Sequence, residues 1–275
     1  MISANRIKYN GVFSNELNMP DMITCVAMDS DNGETSTYLN REAVVSETYD
    51  GRYKKISNFK YTETFAPKFS FFKKDLGDFT MDEVRIVLKW LTSKDTTALL
   101  ETYYDDSNVV SWASIGGWTE IQMHKIANNR TIAITAVWDS ISPFALSDLY
   151  TVTKTITATD NKITINIDTD DNKPVYPRVT IQTSSADVKF VNKHTDLLNN
   201  SKSYSSLELA NNNSGEKIIV DGANKIISSS STKRIFGYDF NWVWLELHDG
   251  KNEITVNGDC IVTLEYRTVV KCGEF

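Results

Sequence analysis

Hydrophobic positions along this chain recur mostly at a spacing of two. In TIAITAVWD, Ile132, Ile134, Ala136 and Trp138 alternate with other residues and predict a strand with one buried face. Residues 49–72 are rich in aromatic and β-branched side chains, and Lys68-Phe69-Ser70-Phe71 alternates within them. Further strands are expected at 109–113, 119–126 and 131–138, with Gly116-Gly117 and Asn128-Asn129 as the turns between them.

One segment follows a different period. Thr80-Met81-Asp82-Glu83 has the form of a capping box, in which the Thr80 hydroxyl accepts from the Glu83 N–H and the Glu83 carboxylate reaches back to the Thr80 N–H. Val84, Val87, Leu88 and Leu91 then recur at helical spacing, so a helix is expected over 81–92 with its apolar stripe on the sheet. Ile86 and Trp90 are expected to point away from that stripe, which makes them candidate oligomer-interface residues.

The pattern breaks over 140–150, where SISPFALSDLY interrupts the alternation and carries Pro143. This predicts two domains, 1–145 and 146–275. Beyond the break the chain is Thr-rich and alternating, with Ile163, Ile165 and Ile167 on one face. Strands are expected at 179–182, 188–191, 217–220, 225–228, 242–247, 252–256 and 260–266, separated by Asn, Asp, Ser and Gly clusters. Short strands at this regular spacing predict a β-sandwich.

Composition narrows the function more by exclusion than by signal. Lys and Arg number 29 against 36 Asp and Glu, and neither half carries a basic excess, so specific nucleic-acid binding is not expected. No apolar run is long enough to cross a membrane as a helix, and MISANRIKYNG lacks the apolar core of a secretory signal. Cys25, Cys260 and Cys272 cannot form a disulfide framework, and His124, His194 and His248 are scattered, so neither a metal nor another cofactor is expected. The carboxylates Asp105-Asp106, Asp168/Asp170/Asp171 and Glu246/Asp249 read as turn residues, and no catalytic residue is assigned. In FNWVWLEL, Trp242 and Trp244 are expected on one strand face, opposite Val243, Leu245 and Leu247. Tyr238, Asp239, Asn241 and Trp242 together offer an aromatic surface beside polar groups, the composition of a carbohydrate contact.

Several segments in a fixed order resemble the distal tail protein family of tailed bacteriophages. NRIKYNGV opens the chain like that family's first strand and Asn-Gly turn, and YDGRYKK stands where the family has a Gly-centred turn. VRIVLKWLTSKDTTALLETYYDD is similar to the family's helix ending in Trp-Leu, and TIAITAVWDSISPFALS to the strand that closes its first domain. WLELHDGKNEITVNGDCIVTLEYR is similar to its last strands, with Asp249-Gly250-Lys251-Asn252 where members often have Pro-Gly-x-Asn. The resemblance implies a mainly β chain. Its first domain would be a tail-tube-like β-sandwich with one α-helix, forming a ring of six copies, a hexamer. Its second would be a galectin-like or carbohydrate-binding-module-like β-sandwich. It further implies a non-enzymatic structural protein of the virion tail, assembled in the host cytoplasm. The implied partners are copies of itself, the tail tube protein, a tail tip protein, and a receptor-binding protein or host saccharide. A carbohydrate-binding adhesin module is the alternative.

Overall fold

The computed structural model describes residues 6–17, 22–27, 41–47, 54–73, 77–103, 108–195 and 202–271. The chain divides into two compact units, Met1–Ser147 with Lys271–Phe275, and Asp148–Val270. Both are built mainly from antiparallel strands.

The first unit contains β1 (Arg6–Tyr9), β2 (Val12–Phe13), β3 (Met22–Ala27), β4 (Arg41–Glu47), β5 (Lys54–Tyr61), β6 (Lys68–Lys73), α1 (Met81–Leu91), β7 (Ala98–Tyr103), β8 (Trp112–Ile126), β9 (Arg130–Ser140) and β10 (Ala145–Leu146). Its main sheet runs in the order β2-β1-β7-β8-β9-β6-β3, with β10 beside β8. Asn10 and Gly11 both take positive φ, which closes the β1–β2 hairpin with the backbone that an Asn-Gly pair favours. Ile134, Ala136 and Trp138 of β9 are fully buried, as their alternation requires. The Trp138 indole N–H donates to Ser114 Oγ at 3.1 Å, and Ser114 Oγ donates to Ser140 Oγ at 2.9 Å, so the polar atoms on this face are paired with one another.

Helix α1 begins as its sequence dictates. Glu83 N–H donates to Thr80 Oγ1 at 3.3 Å, and the Thr80 N–H donates to the Glu83 carboxylate at 2.7 Å. That carboxylate also meets Lys73 Nζ at 2.8 Å, which ties the first turn of the helix to β6. Val84, Val87, Trp90 and Leu91 are its buried residues.

The Gly116-Gly117 pair corrects a sequence expectation. It is not a turn: β8 runs straight through it as one 15-residue strand. A Cβ at Gly116 would lie 2.1 Å from the Asp139 carbonyl oxygen, whereas a Cβ at Gly117 meets nothing within 4 Å. Gly116 therefore permits close approach of β9 rather than a change of direction. The reversal comes later, at Asn128 and Asn129, both at positive φ. The YDGRYKK turn falls largely outside the described residues.

The second unit contains β11 (Tyr150–Ile156), β12 (Lys162–Ile167), β13 (Arg178–Thr183), β14 (Val188–Thr195), β15 (Lys202–Leu209), β16 (Lys217–Asp221), β17 (Ile226–Ser229), β18 (Gly250–Asn257) and β19 (Cys260–Tyr266). They form sheets in the orders β11-β19-β13-β16-β17 and β12-β18-β14-β15, which share one apolar core. Ile163, Ile165 and Ile167 face that core from one sheet, and Val179, Ile181, Val262 and Leu264 from the other. Residues 242–247 are not a strand, contrary to the sequence expectation. Trp242 sits at φ 58°, which breaks the extended run, and pairing resumes only at the Val175–Leu247 bridge. The segment is held by side chains instead. The buried Asn192 amide donates to the Glu246 carbonyl at 2.6 Å and to Asn252 Oδ1 at 2.9 Å, and Asn252 bonds both the N–H and the carbonyl of His248. Asn252 thus closes the turn that contains Asp249-Gly250.

Gly116→Ala is expected to destabilise the chain by about 1–3 kcal/mol through forced displacement of β9, while Gly117→Ala is expected to be neutral or slightly stabilising. Urea unfolding of the two variants side by side checks this. Equal midpoints would contradict the close-approach role of Gly116.

Candidate interaction surfaces

The helix surface differs from the sequence expectation at one of its two residues. Trp90 is only 6% exposed. It lies one helical turn after Val87 and therefore shares the buried side. Its ring packs edge-on against Tyr9 at 5.9 Å and Phe71 at 6.0 Å, within an aromatic cluster that includes Trp118 and Trp138. Trp90 is a core residue and is withdrawn as an interface candidate. Ile86, one turn before Trp90 at the margin of the buried side, is 38% exposed. One such residue does not make a contact surface.

A larger apolar surface lies on β4 and β5. These two strands pair only with each other, as a sheet of their own among the described residues. Ile56 is 52% exposed and Phe59 49%, and Val44 and Val45 are exposed as well. Ile56 pairs with Val45 and Phe59 with Ala43, two residues apart on β4, so the extra residue Ser57 brings Ile56 and Phe59 to one face of the ribbon. The register shifts between Val44 and Val45 at a bulge, which increases the local twist. An isolated two-stranded ribbon is marginal in water. Here the Arg41 guanidinium over the Phe59 ring at 5.1 Å and a Lys60–Glu42 pair at 3.4 Å add modest, solvent-screened support. Sequence reading assigned excess aromatic residues to this region but did not single out the ribbon. No simple alternation could signal it, because the bulge at Ser57 is what brings Ile56 and Phe59 to one face.

In the second unit the predicted carbohydrate-contact residues lie on the loop before the 242–248 segment. Tyr238, Asp239 and Asn241 line a shallow cleft of about 350 Å³ with Asp187, Lys189 and Glu208. Tyr238 is fully exposed and Trp242 more than half exposed. Trp242 and Trp244 do not share an open face: Trp242 donates its indole N–H to the Gly237 carbonyl at 3.1 Å, whereas Trp244 is half-buried against Phe240 and the core. Asn241 is committed structurally. Its Oδ1 accepts from the N–H groups of Glu208 and Val243, and its Nδ2 donates to the Ser206 carbonyl at 2.6 Å. Asp239 accepts from Asn211 at 2.8 Å and lies 3.5 Å from Arg234.

Arg234 fixes this loop, and sequence reading missed it because a lone Arg in a Ser- and Lys-rich stretch carries no pattern. Its side chain is 6% exposed and that of Glu216 is 1% exposed, with the two 3.8 Å apart. The guanidinium donates to the carbonyls of Ala210 and Asn211. Burial alone would raise the Glu216 carboxyl, but hydrogen bonds from Ser229 and from the Asn213 N–H, with the Arg234 charge, outweigh it and hold the pKa below the usual carboxylate value. Two of the carboxylates considered for catalysis, Glu246 and Asp249, are likewise engaged. Glu246 accepts from the Tyr176 hydroxyl at 3.0 Å, Asp249 accepts from the Thr169 N–H at 3.1 Å, and Asp105-Asp106 lie outside the described residues. Among the described residues no group of three His, Cys, Asp or Glu side chains is placed to hold a metal ion. Cys260 is buried, and its thiol is pushed up to about 11 by desolvation and the neighbouring Asp259, which makes it unreactive; Cys25 and Cys272 have no described side chains.

Arg234→Met is expected to cost about 3–5 kcal/mol because it leaves Glu216 buried and unpaired. The double variant with Glu216→Gln is expected to recover most of that loss. The depressed Glu216 pKa means that its stabilisation is complete above the unfolded carboxylate value and is lost as pH falls through the lower folded value. Glu216→Gln should therefore flatten the acid limb of stability against pH, measured by thermal melts from pH 7 downward. An unchanged acid limb would contradict this assignment.

Comparison with known proteins agrees with this architecture. Residues 2–136 match the family model of a phage tail protein N-terminal domain, and residues 144–266 match that of a phage tail C-terminal domain. No curated protein sequence matches the chain significantly. Among solved structures, the chain is similar to the Dit protein of phage SPP1, a hub of the adsorption apparatus of phages infecting Gram-positive bacteria. The TM-score is 0.60 at 11% identity, over 95% of this chain and 98% of that one. It is also similar to a chain of the phage p2 baseplate in its activated, strontium-bound conformation, with a TM-score of 0.51 at 9% identity over 98% and 99% of the two chains. At these identities the likeness establishes a shared fold. Matched in both halves by the two phage tail models, the chain belongs to a family of bacteriophage tail proteins and is a component of the virion.

Proposed function

We propose that this protein is a structural hub at the end of the phage tail, a ring of its own copies that joins the tail tube to the tip and host-recognition proteins. The observation that carries this reading is the β4–β5 ribbon. Two strands with Val44, Val45, Ile56 and Phe59 exposed have no third strand or layer among the described residues to cover them. A heterologous contact, in which this ribbon meets a different surface on the next copy, closes into a ring when the rotation between copies closes. The hub role of the SPP1 protein, whose fold is shared over nearly the whole length of both chains, supports the same reading. The partners in this reading are the neighbouring copies in a hexamer, the tail tube protein and a tail tip protein, and no turnover is involved.

The exposed Tyr238 and Trp242 favour one second reading, in which the second unit contacts a host saccharide. With Asn241 committed to β15, that contact rests on the two aromatic side chains and the Asp239 carboxylate.

Ile56 and Phe59 are each about half exposed, so burying the remainder on assembly is worth about 1 kcal/mol per side chain. Ile56→Asp with Phe59→Asp is therefore expected to weaken self-association by tenfold or more. Light scattering on the wild-type chain should give about six times the 31.1 kDa chain mass, and the double variant should run as a monomer with an unchanged circular dichroism spectrum. A wild-type chain that stays monomeric at every concentration contradicts the ring.

A further inference from the structure

A second cluster in the second unit serves neither the ring nor the Tyr238 loop. Residues 244–248 alternate in burial: Leu245 and Leu247 are fully buried in the core, whereas Trp244, Glu246 and His248 are half-buried. The Val175–Leu247 bridge brings Tyr176 opposite Glu246, and the Tyr176 hydroxyl donates to Glu246 Oε1 at 3.0 Å. His248 Nε2 lies 3.7 Å from the other Glu246 oxygen. The turn between β16 and β17 packs directly against Tyr176, since a Cβ on Gly222 would lie 3.1 Å from the Tyr176 Cβ.

From that turn Lys225 reaches across. Its Nζ lies 3.3 Å from the Tyr176 ring centroid and 5.3 Å from that of Trp244. Glu246 contributes a favourable field at the same place. Two aromatic faces and a carboxylate around one cationic nitrogen form an aromatic cage, the arrangement that recognises alkylated ammonium groups. The resident cation is poorly suited to it. A primary ammonium carries three N–H donors, yet no acceptor among the described residues bonds this one. Desolvation lowers the Lys225 pKa, which marks a cost to holding the charge here. Lys225 also adopts φ 57°, an uncommon conformation for a residue with a Cβ. The residue is otherwise exposed, so its side chain is free to swing out.

We infer that Tyr176, Trp244 and Glu246 form a binding site for a choline-type quaternary ammonium group, and that Lys225 occupies this site in the free protein and is displaced by the ligand. A trimethylated nitrogen has no N–H donors to satisfy and presents its charge through methyl groups that pack on ring faces. It therefore gains the cation–π attraction without N–H donors that must give up water to reach the ring faces. The site is separate from the ribbon, and its test does not depend on assembly.

The test is isothermal titration calorimetry of choline chloride against the full chain, the Lys225→Gly variant and the Lys225→Gly/Glu246→Gln variant. Glycine suits the φ of this position, so the first variant should fold, and its melting temperature confirms it. Because the plug competes with the ligand, Lys225→Gly is expected to bind choline roughly tenfold more tightly than the wild type. Adding Glu246→Gln should reverse most of that gain. The neutral isostere 3,3-dimethylbutan-1-ol should bind the folded Lys225→Gly protein at least several-fold more weakly than choline. Equal binding of the alcohol and choline, or no choline binding by a folded Lys225→Gly protein at millimolar concentrations, overturns the site.

Discussion

A pair of β-strands cannot bury its own side chains. Each face of a two-stranded ribbon needs another layer, and each outer edge carries backbone groups that seek a partner. Among the described residues of the first unit, β4 and β5 are the strand pair that joins no larger sheet. The main sheet is covered on one face by α1, with Trp90, Tyr9, Phe71, Trp118 and Trp138 meeting edge to face. The ribbon has no such cover among the described residues, and its apolar side chains remain available for a neighbour. In the proposed ring a neighbouring copy covers this surface, which would be a liability in a free monomer.

The second unit solves a different problem. Its sandwich core is complete, and its variable features are loops fixed from beneath by buried polar groups. Arg234 with Glu216 anchors the loop that carries Tyr238 and Trp242, while Asn192 and Asn252 anchor the 244–248 segment. Such anchors are costly to break and add little net stability over an apolar core of equal volume. Their effect is to hold exposed aromatic side chains in fixed positions without a strand ladder. Both outward surfaces of this unit therefore stand on rigid supports, as a contact site requires.

Much of this was legible in the sequence where the signal is local. The Thr80–Glu83 capping box, the Asn10-Gly11 hairpin and the alternation of Ile163, Ile165 and Ile167 are each decided by residues within a few positions of one another. The features that escaped depend on distant neighbours. Gly116-Gly117 reads as a turn until Asp139 of β9 is placed 2.1 Å from the position of a Gly116 Cβ. Trp90 reads as outward until Tyr9 and Phe71 are placed against it. FNWVWLEL alternates like a strand, but Asn241 draws the chain onto β15 and Trp242 turns it through a left-handed residue. The cage around Lys225 draws on residues from the loop before β13, the β16–β17 turn and the 244–248 segment, and no spacing in the sequence connects them.

The central claim, that the ribbon is the joint between copies, is tested most directly by electron cryomicroscopy of the assembled tail end. The account predicts a ring in which residues 41–61 of each copy lie against the next, with Ile56 and Phe59 buried at the contact and Trp90 still inside its own sheet. A ring in which that ribbon faces solvent, or a single copy at the tail axis, would contradict it.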